Sequence, residues 1–558
     1  MNGAEQTIET LVRRGVDTCF TNPGTSEMHF VAALDRQRAM RSVLALFEGV
    51  ATGAADGFGR MTRRPATTLL HLGPGMANGL ANLHNARRAR TPVVNLVGEH
   101  ATGHRRYDPP LTTDIEGLAR PMSGWVATVT DSSQVAAFVD AAVDAALGPP
   151  ATVATLVVPA DVSWSAVPDQ AVDRLVPADR ANGGGHAGSA RPSTTTGSAP
   201  PGRTTIGTRG AVLGGDADPP RSEVREVAVA LTCGAPAAVL IGGRATTGDP
   251  LRRAAQIAER CHAKLLCETF PARLERGAGV PAVERLAYLA ELARLQLAGL
   301  EHLVVVDCAV PVSFFAYPDL PSRVVPDGCQ VHLLAGPADD AEAALEALAG
   351  ELGVGTGSPV PTMAPTRPLR PSGPITAESL AAAVGAVLPE GAVVSDESNT
   401  GGLHIPGGTA GAPPHDWLTL TGGAIGQGLP VATGAGVAIA GTGRQVLCLE
   451  ADGSAMYTIQ ALWTQARESL DVTTVILDNH AYGILGFELS RVRAGEPGPA
   501  ARDMLDLSRP DLDFVALAGA MGVPATRAES ADELVVQLER ALHEPGPALV
   551  HVPMERSL

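Results

Sequence analysis

Two side chains twenty-seven positions apart could do chemistry together: Asp452, in Glu450-Ala451-Asp452-Gly453-Ser454, and Asn479, in Leu477-Asp478-Asn479-His480-Ala481-Tyr482-Gly483. A carboxylate and a carboxamide offer hard oxygens of the kind that magnesium takes alongside phosphate oxygens. Gly453 and Ser454 then open a helical pattern, so free backbone N–H groups and the positive end of a helix dipole would face an anion held there. This is the outline of a metal and diphosphate site. The same residues also read as a helix-start aspartate and a turn asparagine, which many α/β proteins carry.

The elements that must position the pair follow from the apolar pattern. Gln445–Glu450 is a short apolar run; Ala455, Ile459, Leu462, Trp463 and Ala466 then recur at helical spacing as far as Glu468; Val472–Leu477 is a second, β-branched run. The spacing predicts strand, helix and strand joined by a right-handed parallel crossover. Asp452 and Asn479 then stand just past the carboxyl ends of two strands, the edge where open α/β sheets bind ligands.

Four other stretches carry candidate groups. Glu48 follows the run Ser42–Phe47 and heads a helix of small residues to Gly57, and upstream of it lies Thr21-Asn22-Pro23-Gly24-Thr25-Ser26-Glu27. His71 follows the apolar strand Ala66–Leu70 and precedes Leu72-Gly73-Pro74-Gly75. A buried carboxyl suits proton sharing, and an imidazole suits proton transfer near neutral pH. Taken singly, Glu48 is also a dipole-stabilised helix start and His71 a solvated loop histidine. The glycine-rich run Thr421–Pro430 and the polar turn Asp396–Thr400, after a strand expected at Ala392–Ser395, complete the set.

In order and spacing these motifs resemble the thiamine diphosphate-dependent enzymes that include benzoylformate decarboxylase, pyruvate oxidase and acetolactate synthase. The resemblance spans the chain apart from one long linker. It implies that Asp452, Asn479 and the backbone carbonyl of Ala481 hold magnesium, and that Gly453, Ser454, Asn399, Thr400, Tyr482 and Gly483 lie against the cofactor. It implies that the Gly423 carbonyl accepts a bond from the aminopyrimidine, that Ile425 props the cofactor in its bent form, and that Glu48 contacts the pyrimidine nitrogen. His71 and Thr25 match the histidine and serine that attend the substrate in benzoylformate decarboxylase. The implied reaction is decarboxylation of a 2-oxo acid, with release of an aldehyde or carboligation to a second carbonyl.

The chain departs from the family at several points. Ala451 stands where a glycine is usual, and Asp478 where a neutral residue, often asparagine, precedes the metal ligand. Val310–Tyr317 resembles a decarboxylase loop but lacks its second histidine, and Glu488 stands near a position that is tryptophan in acetolactate synthases and phenylalanine in benzoylformate decarboxylase. Gly98–Thr102 and Asp114–Pro121 look more like acetolactate synthase. An acetolactate synthase-like carboligase and a benzoylformate decarboxylase-like lyase therefore both stand, with a non-catalytic cofactor-binding or regulatory homologue as the alternative. FAD, which acetolactate synthases bind in the middle domain, is left open, since no motif indicates it.

Composition narrows the classes. The 558 residues, 45% of them hydrophobic and 3% aromatic, fit a multidomain α/β protein, and a net charge of −17 argues against nucleic-acid partners. Lys264 is the only lysine, which leaves Schiff-base chemistry almost no residue to use. No signal pattern or membrane-length apolar run occurs, and seven scattered cysteines fit a reduced cytoplasm. The expected organisation is three doubly wound parallel-sheet domains of the thiamine diphosphate-binding type: a pyrimidine-binding domain at 1–175, a middle domain at 222–352 and a diphosphate and magnesium domain at 375–558. Gly/Ser/Thr/Pro-rich 176–221 and Pro-rich 353–374 read as linkers. By the resemblance, the active unit is a homodimer or homotetramer acting on a small 2-oxo acid.

Overall fold

The runs Ala66–Leu70, Val93–Glu99 and Val153–Pro159 are buried along their whole length, which requires a parallel sheet covered on both faces. A computed structural model describes residues 1–168, 221–495 and 498–556; the expected 176–221 linker, apart from Arg221, lies outside them. Those three runs are β3, β4 and β6 of an N-terminal sheet. With β1 (Thr18–Asn22), β2 (Arg41–Leu44) and β5 (Trp125–Thr128) they form the parallel order β2-β1-β3-β4-β6-β5.

The middle sheet is built from β7 (Ala237–Ile241), β8 (Lys264–Cys267), β10 (Glu284–Arg285), β11 (His302–Val306) and β12 (Gln330–Ala335), in the parallel order β10-β8-β7-β11-β12. The C-terminal sheet contains β13 (Val393–Glu397), β14 (His415–Thr419), β15 (Val446–Ala451), β16 (Val472–Asp478), β17 (Ala525–Arg527) and β18 (Ala548–Pro553). Its order β14-β13-β15-β16-β18-β17 repeats that of the N-terminal sheet, strand for strand. The fold is thus α/β with three parallel-dominated sheets.

Two details differ from the sequence reading. Leu274–Arg276 (β9) leaves the middle sheet and pairs antiparallel with β14, Leu274 opposite Trp417 and Arg276 opposite His415. Leu274 is buried there and the Arg276 guanidinium lies 4.8 Å from the Trp417 ring centroid, so β9 covers an edge that β14 would otherwise expose. The helix expected after Asp452 is two, Asp452–Thr458 and Ala461–Arg467, separated by Ile459 and Gln460. The Thr458 hydroxyl donates to the Gly426 carbonyl at 3.0 Å, tying the end of the first helix to the glycine-rich loop.

The Pro-rich 353–374 segment is hydrogen-bonded on both sides. Gln256 Nε2 donates to the Thr356 and Ser358 carbonyls at 3.2 and 3.1 Å, and Arg367 donates to those of Ala386 and Leu388 at 2.7 and 3.0 Å.

Because the outer sheets share one strand order, the helix after β2 (Glu48–Thr62) and the helix after β14 (Gly428–Ile439) occupy equivalent places. They pack on each other with backbones almost touching. A Cβ at Gly57 would overlap the Val431 carbonyl, and one at Gly434 would overlap that of Ala54. Val50, Ala51, Ala54 and Phe58 join Leu429, Val431, Ala432 and Ala435 in one core cluster, so the two halves bury apolar surface together.

Candidate active site

Strand order reverses between β13 and β15, and the crevice at that switch point receives Asn399 from one strand and Asp452 from the other. Asn479 follows β16, the next strand. Asp452 is buried, its Oδ1 accepts the Gly453 N–H at 2.8 Å, and no donor among the described residues reaches its Oδ2. Burial, with the adjacent Asp478 carboxyl, pushes Asp452 up to about 7. Asp478 is held low, against its own burial, by hydrogen bonds that include His551 Nε2 at 2.8 Å. A divalent cation at Asp452 would take the place of the proton that two crowded carboxyls otherwise retain.

The residues around Asp452 fit the implied group. Asn479 and Ala481 share one buried turn, in which Asn479 Oδ1 accepts the Ala481 N–H at 3.2 Å. Asn399 Nδ2 donates to Ser454 Oγ at 2.9 Å from a left-handed backbone, φ 47°, and Thr400 continues that turn. The Tyr482 ring crowds Gly453, where a Cβ would lie 2.5 Å from Cε1, and Gly483 begins the helix Gly483–Arg491. Ala451 has φ −82° and ψ 149°, extended backbone that any residue adopts, so its methyl needs no special conformation.

The loop that carries Gly423 and Ile425 is gripped from three sides. Gly423 and Gly426 have φ of 76° and 88°, which other residues adopt only under strain. From the helix Leu72–Arg88, Asn82 Nδ2 donates to the Gly426 carbonyl at 3.2 Å and Asn85 Nδ2 to that of Ala424 at 2.8 Å. From β13, Glu397 accepts the N–H groups of Gly426, Gln427 and Gly428 at 2.7, 2.7 and 2.5 Å. Burial pushes Glu397 up to about 7 in spite of these bonds, and burial beside Glu397 also pushes Glu450, opposite it in register, well above the usual carboxylate range. From the middle segment, Phe314 lies against Gly423, where a Cβ would come 2.6 Å from Cζ. Ile425 is left half-buried.

The N-terminal sheet reverses between β1 and β3, and its switch point receives Thr25 and His71. Thr25 begins a short 3-10 turn, and His71 is the residue that caps the helix Leu72–Arg88. Both line a cavity of about 450 Å³ together with Ser26, Leu72, His100 and Trp164. Glu48, the first residue of its helix, is buried and accepts Asn78 Nδ2 at 3.0 Å. Gly75 separates Glu48 from His71, and a Cβ there would lie 3.3 Å from Glu48 Oε1 and 3.4 Å from the His71 Cβ.

Glu488 faces a cation. Its Oε1 accepts Arg491 at 2.8 Å and the Tyr317 hydroxyl at 3.1 Å, so its charge is met before any acceptor arrives. Sequence reasoning assigned no role to Asn82, Asn85, Glu397 or Glu27. The sequence pattern begins the turn at Asp396, whereas β13 runs through Glu397 and turns its carboxylate to the loop. Glu27 carries a local signal, since a glutamate three positions after Gly24 can reach back to the Gly24 N–H, which it does at 2.8 Å.

Residues 1–118 match the model of the thiamine pyrophosphate enzyme N-terminal TPP binding domain, and residues 408–552 that of the C-terminal TPP binding domain. IlvX of Mycobacterium tuberculosis, named for the acetolactate synthase large subunit, is 54% identical over 99% of both chains. The benzoylformate decarboxylase of Pseudomonas aeruginosa is 28% identical over 98% of both. Among solved structures, the thiamine diphosphate-dependent 4-hydroxybenzoylformate decarboxylase of Rhodococcus jostii RHA1 superposes with a TM-score of 0.81 at 23% identity, covering 100% of this chain and 99% of that one. Identity above one half across nearly the whole length settles descent, and the chain belongs to the thiamine pyrophosphate enzymes.

Proposed function

We propose that the chain is a thiamine diphosphate- and magnesium-dependent 2-oxo acid decarboxylase. The observation that carries the reading is the buried Asp452, with an oxygen that no described donor reaches, at the switch point of a sheet whose twin presents Thr25 and His71 at the equivalent edge. Asp452, Asn479 and the Ala481 carbonyl would hold magnesium, and Gly453, Ser454, Asn399, Thr400, Tyr482 and Gly483 would surround the diphosphate end. Bound thiamine diphosphate supplies an electron sink for the pair left behind when carbon dioxide departs. Glu48 would hold a proton for the pyrimidine end, and the Gly423 carbonyl and Ile425 would lie against it. Thr25 and His71 receive the substrate carboxylate, and His71 moves the proton.

The cofactor site would be completed by a second copy, making a homodimer the least active unit. Exposed Met28, Val31 and Leu46 on the N-terminal half, and exposed Met456, Tyr457 and Leu485 on the C-terminal half, are apolar surface for such a partner. A second outcome, carboligation to another 2-oxo acid, is favoured by one observation. Arg491 neutralises Glu488, so the helix after the metal turn does not repel an anionic acceptor. Carbon dioxide release and product analysis over a panel of 2-oxo acids, with cofactor and magnesium supplied, test both readings. Aldehyde from one acid supports the lyase, an acyloin acid supports the carboligase, and no release from any acid while cofactor is bound leaves the non-catalytic homologue.

A further inference from the structure

Behind His71 stands a carboxylate that the reaction above does not use. Glu27 closes the turn Thr25–Glu27 and is fully buried. Its Oε1 accepts the Ser26 hydroxyl at 2.6 Å; its Oε2 accepts the Gly24 N–H at 2.8 Å and lies 2.8 Å from His71 Nδ1. A carboxylate only accepts, so the shared hydrogen at that third contact belongs to the imidazole. Ser26 Oγ lies 3.2 Å from the same nitrogen, and having given its hydrogen to Glu27 it too presents a lone pair. Both neighbours of Nδ1 are acceptors. Nε2 is the nitrogen left for the cavity that the ring lines beside Thr25.

The backbone is shaped around this pair. A Cβ at Gly98, near the carboxyl end of β4, would overlap Glu27 Oε1, and one at Gly24 would overlap the His71 ring. Two glycines therefore clear the space in which a buried carboxylate meets an imidazole. Burying Glu27 would be costly without its donors, and all three come from groups at the mouth of the same crevice.

We propose that Glu27 is a positioning residue that holds His71 in its Nδ1–H form and turns Nε2 toward the substrate bound in the cavity. The inference rests on the decarboxylase reading for its rate effect but not for its tautomer. Neutral His71 then offers Nε2 as a lone pair, and charged His71 offers it as a donor, with the second charge balanced at Glu27.

A double-mutant cycle tests the rate effect. Glu27→Gln keeps the shape and removes the charge; it is expected to lower kcat/KM about tenfold or more, the scale seen when a histidine loses its orienting partner. The cofactor concentration giving half activity should not move, because Glu27 is aimed at His71. In a His71→Ala background Glu27→Gln should cost nothing further; losses that multiply would overturn the proposal. The ¹⁵N resonances of the wild-type imidazoles, with His71 assigned by its disappearance in His71→Ala, decide the tautomer. Neutral His71 protonated at Nδ1 is expected, and protonation at Nε2 would overturn the proposal even if Glu27→Gln fails to fold. Should the wild type turn over no 2-oxo acid, the functional reading falls while this measurement still decides the role of Glu27.

Discussion

In the function proposed above, Glu48 and Asp452 would serve one cofactor from two sheets, and each makes a separate prediction. Glu48→Gln keeps a group that Asn78 can bond but removes the shareable proton, so turnover should fall about a hundredfold or more with the circular dichroism unchanged. Retention of turnover within a few-fold would remove Glu48 from the proton path. Asp452→Ala should abolish magnesium-dependent cofactor binding, measured by calorimetry, and a chelator should reversibly do the same to the wild type. The residue types at these strand ends were legible because type, spacing and strand boundary occur within a few positions of one another. Asn82 was not, because its partner Gly426 is 344 positions away, and nothing local marks a contact of that kind.

At the scale of elements, β13 does more than end at the switch point, since it sends Glu397 to hold the loop that bears Gly423 and Ile425. Burial raises Glu397 from its ordinary value of 4.5 to about 7. A carboxyl whose folded value is raised adds stability below its ordinary value, and that contribution is lost as pH climbs through about 7. The melting temperature of the wild type relative to Glu397→Gln should therefore fall between pH 5 and pH 8; a difference that grows with pH would contradict this reading. The middle sheet makes another prediction. Its switch point lies between β7 and β11, where Glu268 accepts the Gly243 N–H at 3.0 Å and Asp307 accepts that of Arg244 at 2.7 Å and pairs with Arg90. The N–H groups that would greet a phosphate are already bonded to carboxylates. The purified enzyme should carry no flavin absorption, and added FAD should leave activity unchanged. Strands of five or more apolar residues were readable from their runs, whereas three-residue β9 has too few positions for any period to show.

For the whole molecule, the repeated strand order of the outer sheets gives it two equivalent switch-point edges, and the helix pair Glu48–Thr62 and Gly428–Ile439 fuses the two sheets within one chain. Sedimentation should find at least two chains per particle, and dilution to monomers should remove activity; a fully active monomer would refute the shared site. None of the described helices is long and apolar enough to cross a membrane. The three-sheet plan was legible from alternating runs, but the equivalence of the outer sheets was not, because strand order depends on pairings between segments that the chain visits out of turn.

The loan of β9 to the C-terminal sheet bears on how this protein can be recombined. Leu274 opposite Trp417 and Arg276 stacked on that indole make the β14 edge depend on residues 274–276. A middle segment transplanted from a relative must bring its own apolar residue and its own cation to those two places. Deleting it would leave an unpaired strand, and such edges drive chains to aggregate. The middle third of the chain is therefore not a cassette, and crossover points for chimeras fall most safely on the far side of β9.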